Sequence, residues 1–328
     1  MIVVTGGAGF LGSNLLAALE ARGEHELVVC DRLRRGDKWR NIGKRELADI
    51  ISPEALFDFL EHHKARIATV FHMGAVSSTT ETDADHVIDN NFKTSLALWD
   101  WCAAHDTRFI YASSAATYGD GAQGFEDVFG VEELARFRPM NAYGWSKHLF
   151  DRRIARLLDR GRPRPPQWAG LKFFNVYGPN EYHKENQKSV VAQVYPAAEV
   201  GSPAHLFKSH HPDYPDGGQL RDFVWVDDCV DVMMWLYDTP GVNGLYNMGT
   251  GEARTFADLA SAVFRALGKE PDIKYVDMPL HLRDRYQYFT QADMRRLRRA
   301  GYDRPFTSLE EGVTRYVQDY LHQPDPYR

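Results

Sequence analysis

Tyr143 and Lys147, in the stretch NAYGWSKHLF (141–150), are the residues whose types and spacing suggest chemistry first. Residues four apart on a helix lie one above the other on the same face, so the ammonium can sit beside the phenol. A neighbouring cation favours the phenolate and lowers the tyrosine pKa from its reference of about 10, which would make Tyr143 a general acid and base. In a chain with 16 tyrosines the same spacing also arises on an ordinary solvated helix face. The pair therefore needs a reaction supplied by other residues. Upstream, RFIYASSAATYG reads as a strand ending in Ser113 and Ser114, at the carboxyl edge where ligands of parallel sheets bind. A hydroxyl there can hydrogen-bond the substrate oxygen that Tyr143 protonates or deprotonates. Ser114, Tyr143 and Lys147 then divide the work of a hydride-transfer site. The serine orients, the tyrosine moves the proton, and the lysine tunes the tyrosine and holds a nicotinamide ribose.

A place for that nicotinamide is legible at the start of the chain. GGAGFLG (6–12) follows a first strand and opens a helix, with Gly6, Gly9 and Gly12 in dinucleotide-binding order. Gly6 makes the tight turn, Gly9 admits backbone close to a pyrophosphate, and Gly12 permits close helix packing, while the helix start faces the negative charge. Asp31 closes the second strand about 20 residues further on, where an acid contacts a ribose hydroxyl and favours NAD. Arg32, Arg34, Arg35 and Lys38 follow at once and can grip a 2′-phosphate instead. On balance NADP is expected, with NAD the alternative.

The elements that must position these groups alternate. Apolar runs at 2–6, 26–31, 68–75, 107–119 and 171–178 are separated by helical segments such as 12–22 and 97–105. That alternation predicts an α/β fold, a Rossmann-type doubly wound parallel sheet with a smaller mixed α/β substrate domain. Residues 1–175, with a return segment around 222–250, are assigned to the cofactor domain, and 176–221 with 251–328 to the substrate domain. RGRPRPPQW (160–168) and SHHPDYPDGGQ (209–219) read as surface loops. With 328 residues, 44% of them hydrophobic, the chain can bury a substantial core. A net charge of −6 provides no basic field, so no nucleic-acid partner is expected. Cys30, Cys102 and Cys229 lie far apart, fit no metal spacing and read as reduced core thiols, and no metal is expected. With no targeting run and no apolar stretch of about 18 residues, no membrane partner is expected and the protein is placed in the cytoplasm.

TGGAGFLG, SSAATYG, the Tyr143–Lys147 spacing and FNVYGP in this order resemble the extended short-chain dehydrogenase/reductase family across nearly the whole chain. Within it, SSTTE, the His-Lys that follows NVYGPNEY, and RYQYFTQAD resemble the branch of nucleotide-sugar epimerases that invert C-6 of the heptose in an ADP-sugar. The resemblance implies an oxidation to a ketone and re-reduction by a retained NADP, a small-molecule nucleotide sugar (ADP-heptose) as substrate, a place in lipopolysaccharide precursor synthesis, and a homo-oligomer. It also implies a second acid/base group at Lys184.

By the same resemblance Phe10, Leu11, Asp31, Arg32, Lys38, Met73, Gly74, Ala75, Val76, Ser77, Asn90, Lys147 and Val176 match cofactor contacts. Ser114, Asn175, Asn186, Gln193, Leu206, Phe207, Lys208, Ser209, Arg221 and Tyr286 match substrate contacts, and Arg221 has the charge to meet a diphosphate. Three departures stand out. Pro53 replaces a lysine near the adenine, Glu185-Asn186 replaces Gly-Ser after Lys184, and the 209–219 loop is longer than in the family's familiar members. A dehydratase needs an acidic pair beside the serine, where this chain has Ala115 and Ala116. A UDP-sugar 4-epimerase and a non-catalytic NADP sensor are the remaining alternatives.

Overall fold

The computed structural model describes residues 1–283 and 286–328; Arg285, which opens the RYQYFTQAD segment, lies outside the described residues. Runs such as IVVT, LVVC and TVFH carry no polar alternation, as expected of strands covered on both faces. They form β1 (Ile2–Thr5), β2 (Leu27–Cys30) and β4 (Thr69–His72), and every residue in them is buried. With β3 (Asp49–Ile51), β5 (Arg108–Ser114), β6 (Trp168–Phe173) and β10 (Gly244–Met248) they make a seven-stranded sheet in the order β10-β6-β5-β4-β1-β2-β3. Each neighbouring pair is parallel. Strand order reverses between β1 and β4, so the loops leaving these two strands border a crevice at the carboxyl edge, where such folds bind ligands.

The run 171–178, read as one strand, starts earlier and divides. β6 ends at Phe173, and Asn175–Tyr177 forms β7 in a separate sheet with β9 (Leu220–Trp225) and β11 (Ala253–Thr255). Phe174 is the joint: its N–H donates to Met248 O of β10 at 3.0 Å, while its carbonyl accepts from Val176 N–H at 3.0 Å. LKFFNVYG has no glycine or proline at the joint, so no turn former marks the change of sheets. β9 also lies in the small sheet, and the chain rejoins the large one only at β10, after the Val226–Asp238 helix has packed against the Phe10–Ala21 helix. The third sheet pairs β8 (Ala204–Phe207) with β12 (Ile273–Val276) in parallel.

Two apolar cores result. One lies around the large sheet. The other joins the helices Val190–Glu199, Phe256–Ala266 and Leu309–Tyr316 around Trp225 and Phe223, and takes in Phe10 from the first helix. The three cysteines are free and buried. Among the described residues no helix is long and apolar enough to cross a membrane.

Candidate active site

The glycine turn after β1 is sterically obligatory. Gly6 has φ +66°, and a Cβ there would stand 2.6 Å from the backbone of Gly74, at the start of the loop after β4. A Cβ on Gly12 would meet Gly6 O at 2.3 Å. The Phe10–Ala21 helix begins at Gly9 with no side-chain cap and no acid in its first turn, so its first N–H groups are left for an anion. Asp31 follows β2 and accepts from Ala8 N–H at 3.0 Å and from Lys38 Nζ at 2.5 Å. This cradle fits a dinucleotide phosphate and ribose. Of the four cations expected to meet a 2′-phosphate, two are engaged with carboxylates, Lys38 with Asp31 and Arg32 with Glu54 at 2.5 Å, the Arg32 Nη1 also 3.5 Å from Asn90 Oδ1, while Arg34 and Arg35 are exposed and form no ion pair among the described residues.

The loop Met73–Ser77 is held by a residue that sequence reading passed over. Asn91, fully buried, accepts from Val76 N–H at 2.8 Å and donates to Val76 O at 2.9 Å and to Ser146 Oγ at 3.0 Å. Its neighbour Asn90 bonds instead to His86 O at 2.8 Å. Beneath the loop, His72 lies between Thr5 Oγ1 (2.6 Å) and Ser95 Oγ (2.8 Å), and burial pulls it down to about 3. His72 is a polar residue in an apolar run, whereas Asn91 lies in the polar stretch DNNFKTS and has no such sign.

Ser114 ends β5, its Oγ accepting from Ala116 N–H at 3.1 Å. The Ala142–Asp159 helix is capped by Asn141, which accepts from Gly144 N–H at 2.8 Å. Gly144 allows close approach to the turn after Ser114, since a Cβ there would lie 2.7 Å from Ala116 O. Ser146 Oγ donates to Tyr143 O at 2.7 Å, and Lys147 Nζ donates to Ala112 O at 2.7 Å. Ser114, Tyr143 and Lys147 thus share one edge.

The tyrosine pKa moves opposite to the direction expected from the neighbouring lysine. Burial pushes Tyr143 above its usual value, and only the Ser114 hydroxyl pulls it back. Burial also lowers Lys147 to about 8, against the pull of Asp151. Low dielectric penalises both charged forms, an effect that residue spacing does not reveal.

Lys184 lies in the Tyr182–Gln187 turn segment, with Nζ 4.5 Å from the centre of the Phe10 ring. Burial lowers its pKa against Glu181, a buried carboxylate that anchors the segment through Ser189 (N–H and Oγ, both 2.6 Å) and Tyr316 Oη (3.0 Å). Phe10 follows β1 and Ser114 ends β5, with β4 between them, so the elements that carry Lys184 and Tyr143 lie over different strands of the carboxyl edge. Glu185 has φ +50° and ψ −120°, a region that favours glycine.

Arg221, on β9, is 8% exposed and lies 5.3 Å from the Tyr286 ring and 5.6 Å from the Phe256 ring. It donates to Leu220 O and Gln287 O, and among the described residues no carboxylate forms an ion pair with it. The 209–219 loop is built: Ser209 N–H donates to Asp216 Oδ1 at 2.8 Å, and the rings of His211 and Tyr214 pack on Tyr288 at 5.1 and 5.3 Å. Leu206 and Phe207 end β8; Lys208 pairs with Asp277 at 3.3 Å. Asn175 and Val176 lie on β7 beside Phe223 and Val224. Asn186 and Gln193 meet, Gln193 Nε2 lying 3.5 Å from Asn186 O. A groove of about 790 Å³ between Phe125, Phe289 and the Arg295–Arg299 helix includes none of these residues.

Residues 2–249 match the sequence profile of the NAD dependent epimerase/dehydratase family. The chain is 49% identical, over the whole of both chains, to an ADP-L-glycero-D-manno-heptose-6-epimerase of Nitratidesulfovibrio vulgaris, and 46% identical to that of Fusobacterium nucleatum, again over both whole chains. Its fold superposes on the crystal structure of the Helicobacter pylori ADP-L-glycero-D-manno-heptose-6-epimerase with a TM-score of 0.76 at 28% identity, covering 97% of this chain and 95% of the other. It also superposes on the Thermus thermophilus UDP-glucose 4-epimerase in complex with NAD, with a TM-score of 0.73 at 27% identity, covering 96% of this chain and 97% of the other. With the glycine turn, the doubly wound sheet and the Ser114, Tyr143 and Lys147 edge in place, the chain belongs to the NAD dependent epimerase/dehydratase family.

Proposed function

We propose that the protein inverts C-6 of the heptose in ADP-D-glycero-D-manno-heptose, giving ADP-L-glycero-D-manno-heptose through a transient ketone, with NADP retained between the two half-reactions. The observation that supports this reading is two partly buried side chains able to move protons, Tyr143 beside Ser114 and Lys184 over the Phe10 ring, on elements that lie over different strands of one sheet edge. The full-length likeness to ADP-heptose epimerases supports the substrate.

Gly6, Gly9, Gly12 and the start of the first helix would hold the pyrophosphate, Asp31, Arg32 and Lys38 the adenosine ribose and its phosphate, and Lys147 the nicotinamide ribose. A nicotinamide dinucleotide supplies reversible hydride acceptance when bound. The chain's own residues manage protons and orientation. Ser114 hydrogen-bonds the C-6 oxygen, and Tyr143 takes its proton in one orientation of the sugar. Lys184, with its ammonium disfavoured by burial, serves the oxygen in the other orientation. Arg221, a buried cation without a carboxylate among the described residues, meets the diphosphate, with Tyr286 beside it. This division assigns residues 1–175 and the return through β10 to the cofactor, and 176–221 with 251–328 to the sugar nucleotide.

Purified protein offered ADP-D-glycero-D-manno-heptose and UDP-glucose separately tests the reading by product NMR. Interconversion at C-6 of the first with no turnover of the second is expected. Inversion at C-4 of UDP-glucose without reaction of the heptose would overturn it.

A further inference from the structure

Behind the Tyr143 and Lys147 pair lies a wholly buried charge cluster to which the mechanism above gives no role. Asp151, one turn beyond Lys147 on the same helix, and Lys172, on β6, have no solvent-exposed side-chain surface, and their Oδ2 and Nζ stand 3.9 Å apart. The Asp151 carboxylate accepts from Tyr111 Oη at 3.0 Å and Ser113 Oγ at 2.7 Å, both on β5. Lys172 Nζ donates to Thr117 Oγ1 at 2.8 Å, and Thr117 Oγ1 donates to Ser114 O at 2.8 Å. The same ammonium lies 4.3 Å from the Tyr118 ring and 5.2 Å from that of Phe137. The other titratable groups facing the cluster are Asp127 and His148 toward Lys172, and His72 toward Lys147.

Lys147 is 3% exposed, with one carbonyl partner, and among the described residues Asp151 is the one carboxylate drawing on its charge. Two buried ammonium groups therefore share Asp151, and Asp127 is a second carboxylate that acts on Lys172 alone among the described residues. An unpaired charge in such surroundings is strongly disfavoured, so removing one member changes the protonation of the others.

We propose that Asp151 and Lys172 are positioning residues for catalysis: Asp151 is the counter-charge that keeps Lys147 an ammonium, and the balance of the pair sets the potential in which Tyr143 exchanges its proton. Their bonds to Ser113 and, through Thr117, to Ser114 tie that potential to the serine edge. Asp151 opposes the burial that brings both lysines to about 8, which is consistent with this arrangement.

The inference rests on the proposed roles of Tyr143 and Lys147, and its test is separable from theirs. The pH profile of kcat/KM is measured on cofactor-loaded wild type, Asp151→Asn, Lys172→Met and Lys172→Arg, with native folding checked by circular dichroism. Losing the carboxylate lets both the tyrosine and the lysine release protons more easily, so both limbs of the Asp151→Asn profile move to lower pH by about one unit. Losing the Lys172 charge moves both limbs to higher pH, and Lys172→Arg restores them. Should Asp151→Asn not fold, the upward shift in Lys172→Met carries the test. Folded variants with a lowered plateau and unmoved limbs would overturn the inference and leave the cluster purely structural. Full activity in Tyr143→Phe would instead remove the reading on which it rests.

Discussion

The two sides of the crevice are built in opposite ways. Tyr143 sits in the first turn of an 18-residue helix that is capped by Asn141, packed through Gly144 onto the turn after Ser114, and tied to Asn91 through Ser146. Lys184 sits in a six-residue 3-10 segment, anchored from below by Glu181 and broken by the left-handed backbone of Glu185. The proposed acid and base Tyr143 is locked to the sheet, and Lys184, proposed as the second, lies on a short kinked segment. Inverting a carbinol centre by oxidation and re-reduction requires the sugar to present both faces to one hydride carrier. The proposed pair, one group on the helix and one on the kinked segment, matches that demand, because a proton acceptor must reach within about 2.6–3.2 Å of its hydroxyl.

Breaking the rigid side has the largest expected effect. Tyr143→Phe keeps the fold and the cofactor and lowers turnover by about 10²–10⁴-fold, the span of general acid–base catalysis. Steady-state kinetics check it, and near-native turnover would remove Tyr143 from the mechanism. Arg221→Gln raises the KM for the sugar nucleotide by about 10–10²-fold, the loss of charged hydrogen bonds to a diphosphate, with a smaller change in kcat. An unchanged KM would place the diphosphate elsewhere. Arg32→Ala weakens NADP binding by about 10-fold, since the phosphate bonds it loses outweigh the half-exposed Glu54 pair, and leaves NAD binding unchanged. Titration of stripped protein with both dinucleotides measures this, and NAD binding tighter than NADP in the wild type would reverse the cofactor assignment. The smallest effect sharpens the adaptable side. Glu185→Gly relieves a strained backbone and stabilises the fold by about 1 kcal/mol, after the extra freedom of glycine in the unfolded chain is deducted. A higher melting temperature is expected, and a lower one would mean the kink carries no strain.

The parts of the site readable from sequence are those where backbone geometry restricts residue type. Gly6 and Gly12 are legible because a side chain there would collide with backbone, and the buried strands because both faces are covered. Ser114, Tyr143 and Lys147 were legible because their spacing brings them to one sheet edge. Other features depend on three-dimensional surroundings. The change of sheets at Phe174 has no glycine or proline to mark it. Lys172 in LKFF is buried against Asp151 and two aromatic rings, partners that lie far from it in the chain. The direction of the Tyr143 shift depends on burial, which no helix spacing encodes.

The two-base division is the central claim, and Lys184→Met tests it most directly. The variant, loaded with NADP and mixed separately with each pure C-6 epimer, is followed by NMR for epimer interconversion and by absorbance for transient NADPH. The account predicts that Lys184→Met binds both ligands much as the wild type does, yet interconverts the epimers far more slowly. The double variant with Tyr143→Phe is expected to show no hydride transfer from either epimer. Interconversion by Lys184→Met at the wild-type rate would make Tyr143 the sole base and contradict the account.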